Sequence, residues 1–345
     1  MDQERITRGI LSGIIDRYIG EIAEDPGRSI RKLLDIAERT SDGPTQRICY
    51  QMMQQMAADR SSPYFEMLRH LVTHTSPQTI KQFGINLGHN AWTFGSGHLR
   101  HISEESGMSI PWAVLIDRCP SPDRIPFEEI SALIRRGRNC DIYAWMLMVR
   151  DILDEWEQYT DVFRLHTDCV FGLCVSPCAL TDEILEEAAE IPNLMILLRT
   201  DEPEWREYAE KLMRKGLLYA VFRTVSDADD AEDILSGSWF EDVVSCHPLM
   251  AFVLIEDPMP DDAAAGLSSC MWDIRLKQTY PVVPVDLVSD FLIISRLVSH
   301  REVLFRVESD GTVSEGKGLK FERSLMRCGD LFQNSGDNPE KNGFL

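Results

Sequence analysis

Apolar side chains recur at helical spacing through roughly the first 80 residues of the chain. Two Pro/Gly-containing breaks, 25–27 and 42–44, divide this stretch into separate segments. The apolar positions are Ile6, Ile10, Leu11, Ile14, Ile15, Ile19, Ile30, Leu33, Leu34, Ile36, Met52, Met53 and Met56. The pattern predicts an all-helical N-terminal region, which we assign to residues 1–108.

From Ile110 onward the pattern changes to short, continuously apolar runs. Each run is too short for an independent helix and too uniformly apolar for a half-exposed antiparallel strand. Such runs are typical of parallel strands that are buried on both faces of a sheet. The runs are 111–116, 142–149, 170–175, 194–198, 217–222 and 249–255.

Amphipathic, acid-rich segments of about one short helix each follow these runs. They are 127–138, 151–166, 182–190, 202–215, 227–235 and 240–246. Six strand–helix alternations imply right-handed parallel crossovers, and a repeat of roughly 25 to 30 residues favours a barrel over a doubly wound sheet. We therefore predict an α/β fold with a partial (β/α)6 TIM-type barrel over 109–286.

A C-terminal extension is predicted to follow the barrel. Residues 281–286 look extended, and 303–307 look like one strand of a hairpin that turns at Asp310 and Gly311. We assign 287–333 to this extension. The polar residues 334–345, which include Gly and Pro, are predicted to be a flexible tail.

The net charge of the chain disfavours one class of partner, nucleic acid. The 345-residue chain has 35 Lys and Arg against 56 Asp and Glu, a net charge of −21. Nucleic acid is not expected as a partner, because its phosphates are bound by Lys and Arg. No apolar run reaches the roughly 18 residues of a membrane span, and the first residues are polar, so we predict a cytoplasmic protein without a membrane span.

Charged residues come directly after several of the predicted strands. In (β/α) barrels the carboxyl ends of the strands form the mouth, where ligands bind. The candidate ligand-binding residues are Asp117, Arg150, Asp151, Arg199, Arg223 and Glu256. If Arg150, Arg199 and Arg223 converge, they could bind a carboxylate or phosphate together. Their positive charges would need acidic partners, and Asp257 is one candidate. The alternative is that these charges simply meet water at strand ends, with Asp151 capping the next helix.

Metal and nucleophile motifs are missing from the sequence. Cys169 and Cys174 are five apart and would point to opposite faces of a strand, so these two and Cys178 are not expected to share a metal. The sequence has no Cys-x-x-Cys, no His-Glu-x-x-His and no glycine-rich phosphate loop. We predict no metal site and interpret the nine cysteines as free thiols.

Several phrases in the sequence resemble a subgroup of the radical S-adenosylmethionine superfamily that has a helical region before its barrel. The clearest is Ser-Ile-Pro-Trp-Ala-Val-Leu-Ile-Asp at 109–117. The others are Phe-Glu-Glu-Ile at 127–130, Asp-Ile-Tyr at 141–143, Asp-Cys-Val-Phe at 168–171 and Phe-Arg-Val-Glu-Ser-Asp-Gly at 305–311. Their order and spacing carry the resemblance, which would cover most of the chain.

The cofactor motifs of that superfamily are degraded here. The resemblance implies a three-cysteine cluster loop after the first strand, but 117–124 reads Asp-Arg-Cys-Pro-Ser-Pro-Asp-Arg, with Cys119 alone. The Gly-Gly-Glu-Pro run expected near 149–152 reads Val-Arg-Asp-Ile, and 311–316 lacks the cysteine of an auxiliary cluster. One thiolate cannot hold a four-iron cluster. The resemblance therefore implies a degenerate member of the superfamily.

Two functions stay open at this stage. The first is a pseudoenzyme without an iron–sulfur cluster that serves as a partner or regulatory subunit, for example of an active radical enzyme or as a homodimer. The second is a cluster-independent enzyme or small-molecule binder, with a charged mouth pocket for an anionic metabolite or nucleoside. No cofactor is expected; binding of S-adenosylmethionine without cleavage is disfavoured but open.

Overall fold

The apolar spacing of the N-terminal region produces helices, as predicted. A computed structural model describes residues 2–40, 44–106, 109–119 and 124–332. A π-helical segment, Asn86–Gly95, separates the last two helices of this region. The helices are α1 (Asp2–Glu24), α2 (Pro26–Thr40), α3 (Pro44–Met56), α4 (Tyr64–His74), α5 (Pro77–Ile85) and α6 (Ser96–Ser106).

Side-chain amides fix the π-helical segment to the sheet. Asn86 donates to the carbonyl oxygens of Thr167 and Cys169, each at 2.8 Å, and Asn90 donates to that of Asp168 at 2.8 Å. Because buried carbonyls need donors, these bonds satisfy the backbone that enters the third strand. The helical region thus covers the amino ends of the strands and leaves their carboxyl ends to other elements.

The six predicted apolar runs form strands that lie side by side in chain order. They are β1 (Ala113–Asp117), β2 (Ala144–Met148), β3 (Val170–Val175), β4 (Leu194–Arg199), β5 (Tyr219–Val225) and β6 (Met250–Ile255). All neighbouring pairs among them are parallel. Every residue of β2, β3 and β4 is buried, which explains their uninterrupted apolar sequences.

Helices connect and follow these strands. They are α7 (Phe127–Asn139), α8 (Trp156–Leu165), α9 (Asp182–Ala189), α10 (Trp205–Arg214), α11 (Ala228–Ser236), α12 (Ser238–Val244), α13 (Asp261–Lys277) and α14 (Leu287–Ser299). Side-chain caps start some of them: the Thr181 hydroxyl accepts from the amide of Ile184 at 3.3 Å at the start of α9. The α/β alternation is thereby confirmed.

Four further strands, which include the predicted extended segment and hairpin, extend this sheet at both edges. They are β7 (Val283–Asp286), β8 (Phe305–Val307), β9 (Thr312–Lys317) and β10 (Lys320–Arg327). The sheet order is β10-β9-β8-β1-β2-β3-β4-β5-β6-β7. β7 joins β6 in parallel and β8 joins β1 in parallel, so the described residues contain eight parallel strands. A six-strand parallel core would leave two unpaired edges, and these segments pair with them.

The predicted hairpin is present as β8 and β9, which pair antiparallel. Its turn closes with the Gly311 amide donating to the Glu308 carbonyl at 2.8 Å, and Gly311 has a φ of 79°. That left-handed backbone is the reason for a glycine at this turn. The hairpin is therefore an integral part of the sheet rather than an appendage to it.

The sheet is curled. Arg306 of β8 forms an ion pair with Glu256, which follows β6, although five strands lie between them in the sheet. Lys320 of β10 contacts Asp257 and Asp261, each at 3.1 Å, across the same gap. The fold is thus a mixed α/β half-barrel whose open side is bridged by charged side chains.

Two other predictions bear on the chain as a whole. The boundaries at 108, 286 and 333 stay predictions, and the predicted tail 334–345 lies outside the described residues. Among the helices of the described residues, none has the combined length and apolarity that a bilayer crossing requires.

Candidate ligand site at the mouth of the half-barrel

Strand alternation decides which side chains reach the concave face of the sheet. Residues two apart share a face, and parallel register carries that face from strand to strand. Cys174 is in register with Met148 and Leu197, and Phe222 with Arg199 and Phe252. Apolar residues therefore fill the floor, and polar residues follow at the carboxyl ends.

A cavity of about 260 Å³ opens at these carboxyl ends. Its lining combines an apolar floor with a polar rim whose residues lie in or follow six elements: β1, β2, β4, β5, α11 and β6. The lining residues are Asp117, Cys119, Met148, Arg150, Arg199, Asp201, Phe222, Thr224, Ser226, Asp230, Leu254 and Glu256. Four of the six residues singled out from the sequence are therefore brought together here: Asp117, Arg150, Arg199 and Glu256.

Arg223 is not at the mouth, and the expectation of three converging arginines is wrong. The predicted strand ended at Phe222, but β5 continues to Val225, so Arg223 lies within the strand. Phe222 and Thr224 line the cavity, and period-two alternation sends Arg223 to the opposite face. There its guanidinium lies 3.5 Å from Asp233.

Asp151 also lies outside the cavity. It is exposed, and its carboxylate accepts from the backbone amide of Leu153 at 3.0 Å, which stabilises the turn after β2. Asp257 pairs with Lys320 at 3.1 Å rather than with an arginine. Both acids therefore stabilise loops at the rim.

Arg199 is the buried cation of the site, with 9% of its side chain exposed. Its guanidinium contacts Asp201 at 2.6 Å and Glu202 at 3.3 Å. Glu202 also accepts from the Ser176 hydroxyl at 2.8 Å. Because a buried charge is costly without a partner, these two acids explain how the charged Arg199 side chain can stay buried. The charge of Arg199 is therefore already neutralised by the protein.

Arg306 is a mouth residue that sequence reasoning missed. It lies in the hairpin, 50 positions from Glu256, and no local pattern links the two. Its guanidinium pairs with Glu256 and, at 2.9 Å, with Glu308. Thr224 and Ser226 were missed because the predicted end of β5 was set too early. Asp230 was missed because it lies on α11 rather than directly after a strand.

Three charged residues of the lining remain without an ion pair to any described residue. They are Arg150, Asp117 and Asp230. Asp117 accepts from the amide of Cys119 at 2.9 Å, and Asp230 lies 3.4 Å from the Ser226 hydroxyl. The mouth therefore offers one cation and two carboxylates to a ligand.

The loop after β1 is anchored by ion pairs. Arg118 is 2% exposed, and its guanidinium binds both carboxylate oxygens of Glu155, at 2.5 and 3.2 Å. Arg124 reaches the same carboxylate at 3.1 Å. The amide of Ile125 donates to the Ser309 carbonyl at 2.9 Å. This network stabilises one wall of the mouth.

The residues at the mouth do not fit an iron–sulfur cluster. Cys119 is the one cysteine in the lining, and the positions that follow it, 120–123, contain none. Burial and the neighbouring Asp117 raise the pKa of the Cys119 thiol to about 12, which disfavours the thiolate that iron requires. In the described part of the chain, no three His, Cys, Asp or Glu side chains are placed to bind a metal together.

Comparison with known proteins does not add a relative. The chain matches no family model, no curated protein and no solved structure. The resemblance to radical S-adenosylmethionine proteins therefore depends on the sequence phrases alone.

Proposed function

We propose that this protein binds a small anionic metabolite at the mouth of its half-barrel. The observation that carries the proposal is Arg150, which lines the cavity and has no ion pair with a described residue. Arg199, by contrast, is neutralised by Asp201 at 2.6 Å. A guanidinium that faces a water-accessible cavity is a suitable partner for a carboxylate or phosphate.

The other lining residues indicate which further chemical groups the ligand should carry. Asp117 and Asp230 are acceptors, so the ligand should also carry hydroxyl or ammonium donors. Phe222 and Leu254 provide an apolar floor for its carbon skeleton. The volume of about 260 Å³ lies just under the usual range for drug-sized ligands, so the metabolite should be small.

The first test is a thermal-shift screen of carboxylates, phosphates and nucleotides, S-adenosylmethionine included, followed by calorimetry on any hit. Arg150→Gln should weaken binding by roughly 10- to 100-fold, the loss of one charge-assisted interaction. Arg223→Gln is the matched control because it removes the same charge from β5, where the arginine faces the other side of the sheet. It should change affinity less than twofold.

Two results would count against ligand binding at this site. One is a melting temperature that no anion moves. The other is an affinity that falls equally in Arg150→Gln and Arg223→Gln, which would place the ligand elsewhere or attribute the effect to net charge.

We also propose that β1 to β6 correspond to the six-unit partial TIM-type barrel of a degenerate radical S-adenosylmethionine protein in the cytoplasm. Six consecutive parallel strands in chain order support this. The single Cys119 in the loop after β1 supports a pseudoenzyme rather than an enzyme with radical chemistry. The ligand would then act as a signal, not as a substrate of that chemistry.

A partner subunit is the second candidate. Trp272 and Leu276 lie one turn apart on α13 and are 39% and 50% exposed. Adjacent exposed apolar side chains on one helix face are typical of protein contacts. Sedimentation of the wild type against Trp272→Gln/Leu276→Gln tests for a homodimer, with the isolated exposed Leu165→Gln as the control.

A further inference from the structure

Three histidine rings form a stack on the side of the molecule opposite the mouth. The ring of His70 lies between those of His74 and His247, at centroid distances of 4.0 and 4.2 Å and interplanar angles of 20° and 18°. His70 and His74 are one turn apart on α4, whereas His247 precedes β6. The stack therefore joins the N-terminal helical region to the sheet.

The backbone on each side fixes the rings in place. His74 donates from Nδ1 to the His70 carbonyl at 3.0 Å. His247 has a φ of 54°, in the left-handed region, and its amide donates to the Val244 carbonyl at 3.2 Å, which closes the turn between α12 and β6.

The surroundings of the stack are poor at stabilising a positive charge. A cavity of about 10 Å³, room for about one water, adjoins the rings. Its lining has no carboxylate; apart from the three histidines it consists of Met67, Leu71, Thr75, Met213, Leu217, Tyr219 and Leu249.

The carboxylates of the neighbouring elements lie outside this lining. Glu66, one turn before His70 on α4, is exposed, and on α12 Asp242 pairs with Arg206 at 2.6 Å. From β5, the phenol of Tyr219 donates to the Cys246 carbonyl, and burial raises the pKa of that phenol. The thiol of Cys246 is itself disfavoured as an anion, because burial raises its pKa. On the α10 side, the carboxylate of Glu210 already pairs with Arg214 at 2.6 Å, and that of Glu186 pairs with Lys215 at 2.8 Å.

We propose that the stack of His70, His74 and His247 is an acid-sensitive joint that fixes α4 to the sheet while the rings are neutral and releases it when they are protonated. Two adjacent imidazolium rings at about 4 Å repel each other, and here no carboxylate lies among the lining residues to offset that repulsion.

The electrostatics of the central ring support this assignment. Burial, followed by the charges of His247 and His74, lowers the pKa of His70 to about 4. The unfolded or undocked chain, with an ordinary histidine pKa near 6.5, therefore binds a proton more readily than the docked one. Docking must weaken as the pH falls from about 6.5 toward 4.

The chain that directly follows α4 is also attached to the segment before β5. Directly after α4, the amide of Ser76 donates to the Gly216 carbonyl at 3.1 Å. Release of α4 would first expose its face toward Met213 and Leu217, which lie in the same lining as the rings. The effect should therefore be local to α4 and the segment around His247.

Hydrogen exchange of the full chain at pH 7 and pH 5, corrected for intrinsic rates, tests the joint. Protection of α4 should fall about tenfold in the wild type, after allowance for the partial exposure of His70. His70→Phe keeps a central aromatic ring that cannot be protonated, and its α4 protection should change less than twofold. His101→Gln, at an exposed histidine of α6, should behave as the wild type.

Equal loss of protection in His70→Phe and the wild type would overturn the proposal, as would no loss in the wild type. Histidine ring titration by NMR keeps the question answerable if His70→Phe does not fold. The His70 ring should titrate well below pH 6.5; ordinary titration of that ring would also overturn it.

Discussion

Removing the carboxylate of Glu155 should destabilise the protein far more than removing an exposed carboxylate. Glu155 is 15% exposed and binds the guanidinium of Arg118, which is 2% exposed. In Glu155→Ala the buried charge of Arg118 loses its partner, and such losses cost about 3 to 5 kcal/mol. Arg124 loses the same partner but is more exposed, so it adds little.

Glu186→Ala provides the matched control. Its pair with Lys215 has a similar length, 2.8 Å, but both side chains are exposed, and the expected cost is about 0 to 1 kcal/mol. The assay is urea denaturation, or the melting temperature, which should fall by roughly 5 to 15 °C for Glu155→Ala. A loss in Glu155→Ala within 1 kcal/mol of that in Glu186→Ala would refute the reasoning.

The reactivity of Cys119 reports on the loop at the wall of the mouth independently of global stability. Cys119 follows Arg118 and is partly exposed. If the ion pairs hold this loop in place, alkylation of Cys119, followed by peptide mass spectrometry, should be faster in Glu155→Ala under native conditions. An unchanged rate would mean that the loop is fixed by its backbone bonds alone.

Three further predictions concern helix packing, a buried acid and iron. Gly137→Ala should cost about 1 to 3 kcal/mol in urea denaturation, because its Cβ would lie 2.5 Å from the Trp145 ring; Gly266→Ala, with open space around it, should gain about 0.5 to 1 kcal/mol. Burial raises the pKa of Asp286 to about 6, so the folded state binds this proton more tightly and stability falls as pH rises from about 4 to 6. Asp286→Asn should therefore be more stable than the wild type at pH 7.5 by about 1 to 3 kcal/mol, an advantage that should vanish by pH 4. After anaerobic reconstitution, iron analysis should find far less than four irons per chain, because Cys119 is the single thiol of its loop; near four would contradict the assignment.

The alternation of strands and helices was predictable because burial on both faces leaves a simple signal. The run 170–175 coincides with β3, and the runs 194–198 and 249–255 differ from β4 and β6 by one residue. The pairing of the later strands with the two edges of this six-stranded sheet was not predictable. β8 has three residues, and its place beside β1 depends on a contact almost 200 positions away in sequence.

The site was predictable where a strand ended at its first charged residue, and not elsewhere. Arg150 follows β2 after one intervening residue, and Arg199 ends β4; both strands are wholly buried. On β5 the same rule failed, since the strand continues through Arg223 to Val225. An arginine within a strand can face the helices, where its long side chain reaches an exposed acid such as Asp233. Charge at a strand end therefore locates a mouth only when the strand boundary is correct.

Ion pairs between the protein's own side chains connect the walls of the mouth. Arg118 and Arg124 bind Glu155 beside the carboxyl end of β1, and Arg306 of β8 bridges the open side of the sheet to Glu256. Both sets of contacts are made by charged side chains of the described residues. The cavity is therefore walled by the protein's own charges, which leaves Arg150 available to a ligand rather than to structure.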